Sequence, residues 1–393
     1  MPTTLPYAIP FLQGPPSPLM MTLEGLSVSP FELYAKVAPG HSPSFLFESG
    51  TPAPSTGQYS FFGCDPYLIL SGKAGRYVQR TADGCEEQGE DPFGHLARLF
   101  RNSSIARPQQ APPFFGGAVG YFSYDLTRQF ERLPSLAHDD LAAPDLEFAF
   151  FDLVVAVDHQ QNRLVLLFCP PLERFWGEPR EKLFREGRDR LTALAARLSG
   201  AALPKLPEMP FHLSFEPEQH RSSYIDRVRR CQAYIAAGDI YQANLSHRFT
   251  VVDHTATTIP SLLSDLLTYS RLRTLNPSPF SGLLRLPHTT LISSSPERLV
   301  RLQGQRADTR PIAGTRPRGT TTAADHQLAD ELRTNEKERA EHIMLVDLER
   351  NDLGRVCSFG SVRVDELMVL ERYSHVTHLV SQVSGVLKDG ATG

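Results

Sequence analysis

Residues 153–169 read Leu-Val-Val-Ala-Val-Asp-His-Gln-Gln-Asn-Arg-Leu-Val-Leu-Leu-Phe-Cys. Two apolar runs, Leu153 to Asp158 and Arg163 to Cys169, flank the polar stretch His159-Gln160-Gln161-Asn162. Valine- and leucine-rich runs of strand length on either side of a short polar turn predict a β-hairpin, and with it antiparallel sheet in this half of the chain. Working outward, Arg180 to Ser199 carry a helical pattern that Gly200 is placed to end. A proline-rich stretch follows, from Pro204 to Pro217, and marks residues 201–222 as a linker between an N-terminal region, 1–200, and a second region, 223–393. Beyond it, Ser223 is expected to cap a helix in which Ile225, Val228, Cys231 and Ile235 recur at spacings of three and four, with Gly238 at its end. That face is expected to pack on a core. Strands are expected at Arg248 to Val252 and Thr290 to Leu302, and helices at Ala323 to Arg333 and from an Asn335 cap onward. Antiparallel sheet mixed with helices defines an α+β fold class.

Composition narrows the function. A chain of 393 residues with 41% hydrophobic content can bury one large core or two ordinary ones. Its formal charge of -4 is small, and no basic block is long enough to track a phosphate backbone, so nucleic acid is not an expected partner. Met1 to Pro18 lacks the basic start and apolar run of a leader, and no stretch approaches the ~20 apolar residues of a membrane span. A cytoplasmic location is the expectation. The five cysteines, Cys64, Cys85, Cys169, Cys231 and Cys357, are odd in number and share no C-x-x-C spacing, which predicts free thiols rather than a disulfide framework or a zinc site.

The helix after Asn335 carries the most chemistry. Glu338 and Glu341 are three apart and share a face, so two carboxylates point at one place. Early helical acids also serve simply to complement the helix dipole. Here His342, Asp347 and the run Glu349-Arg350-Asn351-Asp352 add more charge than a solvated face needs, and an oxygen-only set on a rigid element suits Mg²⁺. Glu297, in Ser293-Ser294-Ser295-Pro296-Glu297-Arg298, stands where a strand emerges and could act as a general acid; the plainer reading is a surface glutamate paired with Arg298. Pro311-Ile312-Ala313-Gly314-Thr315 offers a glycine beside a hydroxyl, which suits either an anion cradle or an ordinary turn. His375 and His378 are three apart, and are either metal ligands or structural histidines.

Together these segments resemble the chorismate-utilising enzymes, a family comprising anthranilate synthase, aminodeoxychorismate synthase, and the isochorismate and salicylate synthases. The resemblance runs from Phe45-Leu46-Phe47-Glu48-Ser49 and Tyr59-Ser60-Phe61-Phe62-Gly63, through Phe115-Gly116-Gly117-Ala118-Val119-Gly120-Tyr121, to Gly238-Asp239-Ile240-Tyr241-Gln242 and past His378. It implies a two-layered, largely antiparallel β-sandwich flanked by helices. It also implies Mg²⁺ as cofactor at Glu338 and Glu341, with Glu341 the direct ligand. Glu297 becomes the acid that protonates the departing C4 hydroxyl of chorismate, Gly314 and Thr315 substrate-binding residues with Ala313 beside them, and His378 a residue next to the ring. Gln242 lies where isochorismate and salicylate synthases have a lysine that activates water. An amide cannot serve as that base, which disfavours water as nucleophile and points to ammonia.

Ammonia-using relatives draw it from a glutamine amidotransferase, and no Gly-x-Cys-x-Gly turn exists here, so a separate subunit is implied as partner. Between the two ammonia enzymes, Gln242-Ala243-Asn244-Leu245-Ser246, Pro279-Phe280-Ser281-Gly282, the triple serine before Pro296 and Asp347-Leu348-Glu349-Arg350-Asn351-Asp352 resemble aminodeoxychorismate synthase component I. Ala313 departs from it, because many such enzymes carry a nucleophilic lysine there. Anthranilate synthase component I is the alternative. Glu48 and Ser49, with Pro279 and Phe280 on the far wall, resemble the family's tryptophan pocket. The family continues past the position of Gly393 with a glycine-rich block holding further site residues. The expectation is therefore a C-terminally incomplete chain, with an inactive chorismate- or partner-binding subunit as the reading from outside enzymology.

Overall fold

A computed structural model of the chain describes residues 8–25, 28–39, 41, 43–49, 57–101, 105, 107–200, 202–203, 213–253, 261–373 and 375–391. It divides into two compact units, Met1–Pro204 with Asp265–Gly393, and Lys205–Ser264. Of the expected linker, residues 201 and 204–212 lie outside the described set, and Leu213–Pro217 is a strand.

The quoted hairpin forms as expected. Leu153–Asp158 pairs antiparallel with Arg163–Phe168, Asp158 facing Arg163. The Asp158 carboxylate accepts hydrogen bonds from the amides of Gln160 and Gln161, at 3.1 and 3.2 Å, and so closes the turn. Every residue of the two strands except Leu153 and Arg163 is buried, which explains runs that are apolar rather than alternating: both faces are covered. One cover is the helix Arg180–Gly200. Its Gly187 lies so close to Phe168 that an added Cβ would sit 2.3 Å from the ring.

Among the described residues the larger unit holds three sheets, all of whose pairings are antiparallel. The seven-stranded sheet runs Leu19–Glu24, Arg163–Phe168, Leu153–Asp158, Tyr59–Cys64, Ser44–Glu48, Phe280–Arg285, Thr290–Ser295. A five-stranded sheet runs Glu86–Glu90, Arg76–Thr81, Leu68–Lys73, Leu146–Phe151, Gly117–Phe122. The two share a core in which Phe45 and Leu284 of the first meet Phe151 and Val119 of the second; the Phe45 and Phe151 rings are 4.8 Å apart. The third sheet runs Arg298–Gln303, Arg306–Arg310, Val376–Val386, Ile312–Pro317, with Arg363–Arg372 on the other side of Val376–Val386. Against it lies the helix Glu336–Val356, whose Val346 and Leu353 pack with Ala307 and Val383. This is the α+β, largely antiparallel architecture that the sequence predicts.

Two expectations need correction. The single strand expected over Thr290 to Leu302 is broken at Pro296-Glu297: Thr290–Ser295 belongs to the seven-stranded sheet and Arg298–Gln303 to the third. Proline carries no N–H for a ladder, so the chain leaves one sheet there and enters the next. The helix after the linker spans Arg221–Ala237 with His220, not Ser223, at its cap. Gly238, at φ +80°, ends it as expected. Its apolar stripe does not reach a core: Ile225, Val228 and Cys231 are half-buried and Ile235 is exposed. In the same smaller unit Leu213–Pro217 pairs with Phe249–Asp253, against an expected strand of Arg248 to Val252.

All five cysteines are free thiols. No helix among the described residues is long and apolar enough to cross a membrane.

Candidate active site

Asn335 begins the acidic helix by accepting a 3.0 Å hydrogen bond from the Glu338 amide, an N-cap that meets one of the unpaired donors of the first turn. Helical periodicity then fixes two neighbouring stripes. His342, Val346 and Leu353 are buried toward the sheet. Beside them lie Glu338, Glu341, Glu349 and Asp352, of which the first three are half-buried. Glu349, noted in the sequence only as part of a charged run, is a member of this stripe. Burial pushes its carboxyl above the ordinary range, against an opposing contact with Thr309, and the negative charges of Asp352 and Glu297 add to the rise.

Strand Ile312–Pro317 brings the other residues to this stripe. Glu297 Oε1 accepts a 2.8 Å hydrogen bond from the Ile312 amide. Arg298 does not pair with Glu297 as on the plainer reading; it pairs with Asp308 on the adjacent strand, leaving Glu297 exposed. Gly314 has φ +93°, and a Cβ there would sit 3.0 Å from Leu332 Cδ1 and 3.3 Å from both Cβ and Oε2 of Glu338. Only glycine suits that combination of backbone and space. Ala313 is buried, and Thr315 is exposed, its hydroxyl 2.9 Å from His378 Nδ1. Burial holds the His378 imidazole below its ordinary pKa, against an opposing pull from Glu371. His375 instead bonds to the Leu275 carbonyl at 2.9 Å, so the two histidines take different partners.

Glu297, Gly314, Thr315, His378 and Glu338 are thus gathered around one short strand, with Glu341 one turn further along the helix. Arg316 bonds Glu338 at 3.2 Å and Glu331 at 3.1 Å, which neutralises part of the acidic stripe. Among the described residues no group of three or more His, Cys, Asp or Glu side chains is placed to hold a metal. Mg²⁺ needs only one or two protein carboxylates when the substrate supplies the rest; of the two glutamates on this face, Glu338 already bonds Arg316 and Glu341 is half-buried. Gln242 lies in the smaller unit, exposed on the irregular stretch before Phe249–Asp253.

Glu48 forms a separate cluster. Its side chain is buried, and its two oxygens accept from Arg273 Nε and Nη2, both at 2.9 Å, and from the Tyr269 hydroxyl at 2.8 Å. Ser281 is its register partner, so Pro279 and Phe280 come immediately before that pairing, with Pro279 buried. Ser49 follows Glu48 at the strand end.

The family model for chorismate binding enzymes matches residues 43–393. The chain belongs to this family. It is 41% identical to anthranilate synthase component 1 of Thermus thermophilus over 93% of this chain and 74% of that one. It is 39% identical to aminodeoxychorismate synthase component 1 of Bacillus subtilis over 91% of this chain and 72% of that one. Among solved structures, anthranilate synthase component I of Streptococcus pneumoniae superposes with a TM-score of 0.69 at 26% identity, covering 87% of this chain and 71% of its own. The family membership makes chorismate the substrate class and this strand–helix cluster the candidate place for it.

Gly314→Ala tests the cradle. Forcing a Cβ at positive φ against Glu338 is expected to cost about 1–3 kcal/mol of stability and to weaken chorismate binding. A variant with the parent's melting temperature and chorismate affinity would show that the glycine is not needed.

Proposed function

We propose that the chain aminates chorismate at C4 with ammonia from a separate glutamine amidotransferase, giving 4-amino-4-deoxychorismate and water, as component I of aminodeoxychorismate synthase. The observation that carries the reading is Glu297, moored through Oε1 to the Ile312 amide on the strand that also bears Gly314 and Thr315. A carboxyl so placed can hand its proton to the leaving C4 oxygen, turning hydroxide into water. Gly314 lets the backbone approach the substrate, and Thr315 and His378 orient the ring. Mg²⁺ at Glu338 and Glu341 would supply positive charge for the ring carboxylate. Ala313 offers no nucleophile, so ammonia attacks the ring directly. The sequence blocks around Gln242, Pro279 and Asp347, and the Bacillus subtilis relative, support the C4 product.

Anthranilate formation is the second reading. It is favoured by alanine at 313 and by the Thermus thermophilus relative. In both readings Glu48, whose oxygens are already engaged by Arg273 and Tyr269, is scaffold for a tryptophan pocket formed with Ser49, Pro279 and Phe280.

Incubation with chorismate, ammonium and Mg²⁺ distinguishes the two. Aminodeoxychorismate is the expected product, detected as para-aminobenzoate once a lyase is added. Fluorescent anthranilate without any lyase would transfer the assignment to anthranilate synthase.

A further inference from the structure

Strand Val376–Val386 has neighbours on both sides, and both ladders slip next to Val380, the Arg363–Arg372 ladder slipping once more between Val364 and Glu366. On one side the pairing passes from Ile312–Val380 to Thr315–His378, three residues against two. On the other it passes from Glu366–Gln382 to Val369–Val380, again three against two. Each slip is a bulge, which frees backbone groups from the ladder and re-aims the side chains next to it. Met368, in the second bulge, has φ +54°.

One side-chain pair satisfies both bulges. His342 Nδ1 lies 3.2 Å from the Ala313 carbonyl and His342 Nε2 lies 2.6 Å from Ser381 Oγ. The Met368 amide donates to the same Ser381 Oγ at 2.9 Å. A carbonyl only accepts, so Nδ1 carries the proton, and in the neutral ring Nε2 accepts. Ser381 therefore donates to Nε2 while accepting from Met368, and no polar atom of the relay is left over. His342 and Ser381 are both fully buried.

We propose that His342 and Ser381 form a positioning pair: by holding both bulges from inside the core, they set where Gly314, Thr315 and His378 stand toward the substrate. This rests on the reading above that chorismate meets Gly314, Thr315 and His378. The pair touches no substrate and acts through the backbone of Ala313 and the register of His378. A core polar pair of no functional consequence would lower stability alone; a positioning pair must also alter turnover in protein that remains folded.

The test is Ser381→Ala and Ser381→Thr, assayed with chorismate, ammonium and Mg²⁺ well below each variant's melting temperature. The alanine variant is expected to lose about 10- to 100-fold in kcat/KM, the size of loss that follows a displacement of order 1 Å at a reacting site. The threonine variant, which keeps the hydroxyl, is expected to recover most of it. Ser381→Ala with a lowered melting temperature and the parent's kcat/KM would overturn the proposal. Histidine-labelled protein gives an activity-independent reading: long-range proton–nitrogen spectra should show a neutral imidazole protonated at Nδ1 that disappears in His342→Gln. Protonation at Nε2 would overturn the relay itself. An intact relay in a parent protein that never consumes chorismate would instead sink the proposed reaction, and the positioning role with it.

Discussion

Glu297→Gln is expected to lower turnover of chorismate by about 10²- to 10⁴-fold, the usual contribution of a positioned general acid. The substitution isolates the proton. A glutamine carbonyl can accept the Ile312 amide as Glu297 Oε1 does, so the strand bearing Gly314 and Thr315 keeps its anchor. Fold, melting temperature and chorismate affinity are therefore expected to stay near the parent's while kcat falls. The exposure of Glu297 fits a group that must meet a small molecule rather than a core. Steady-state kinetics with ammonium as nitrogen donor measure the effect. Unchanged kcat would remove Glu297 from the chemistry and leave it as a strand tether.

Arg273→Met is expected to destabilise the protein strongly through the Glu48 end of the seven-stranded sheet. Glu48 has a side chain only 5% exposed, and two of its three hydrogen bonds come from Arg273. Removing the guanidinium leaves a buried carboxylate with only the Tyr269 hydroxyl. Breaking a buried pair from one side costs about 3 kcal/mol, taken at the low end because Arg273 itself is partly exposed. Glu48→Gln combined with Arg273→Met takes away the uncompensated charge, and the double variant should recover part of the loss. Chemical denaturation of the three proteins measures this. Equal midpoints for Arg273→Met and the parent would mean that water, not the guanidinium, satisfies Glu48.

Local chemistry carried far in the sequence. The hairpin at 153–169 was legible to within a residue because length, composition and turn all agreed, and the Asn335 cap fixed the acidic helix for the same reason. The break at Pro296-Glu297 was hidden, since Thr290 to Leu302 keeps strand composition through the crossing and periodicity cannot say which sheet a residue joins. The stripe Ile225, Val228, Cys231 had the right period but overstated burial, which depends on what lies opposite. Glu338 and Gly314, picked out by their motifs, do come together in the fold, a Cβ on Gly314 lying 3.3 Å from Glu338. His342 and Glu349 stood out only as extra charge on the helix, and the His342–Ser381 relay could not be read at all, because it arises from contacts between segments distant in sequence: Ala313, His342, Met368 and Ser381 meet only after four elements have assembled. A signal for His342 did exist, as a histidine on the helix face otherwise occupied by Val346 and Leu353.

The ladder joining Ser44–Glu48 to Phe280–Arg285 has a consequence for inheritance. Because the opening quarter of the polypeptide is woven into the same hydrogen-bonded surface that leads to Glu297, a genetic crossover between those two strands would pair edges that never matured together. Lineages that trade one ancestor's beginning for another's must therefore also reconcile the inward-facing residues at that seam, Phe45 and Leu284 among them.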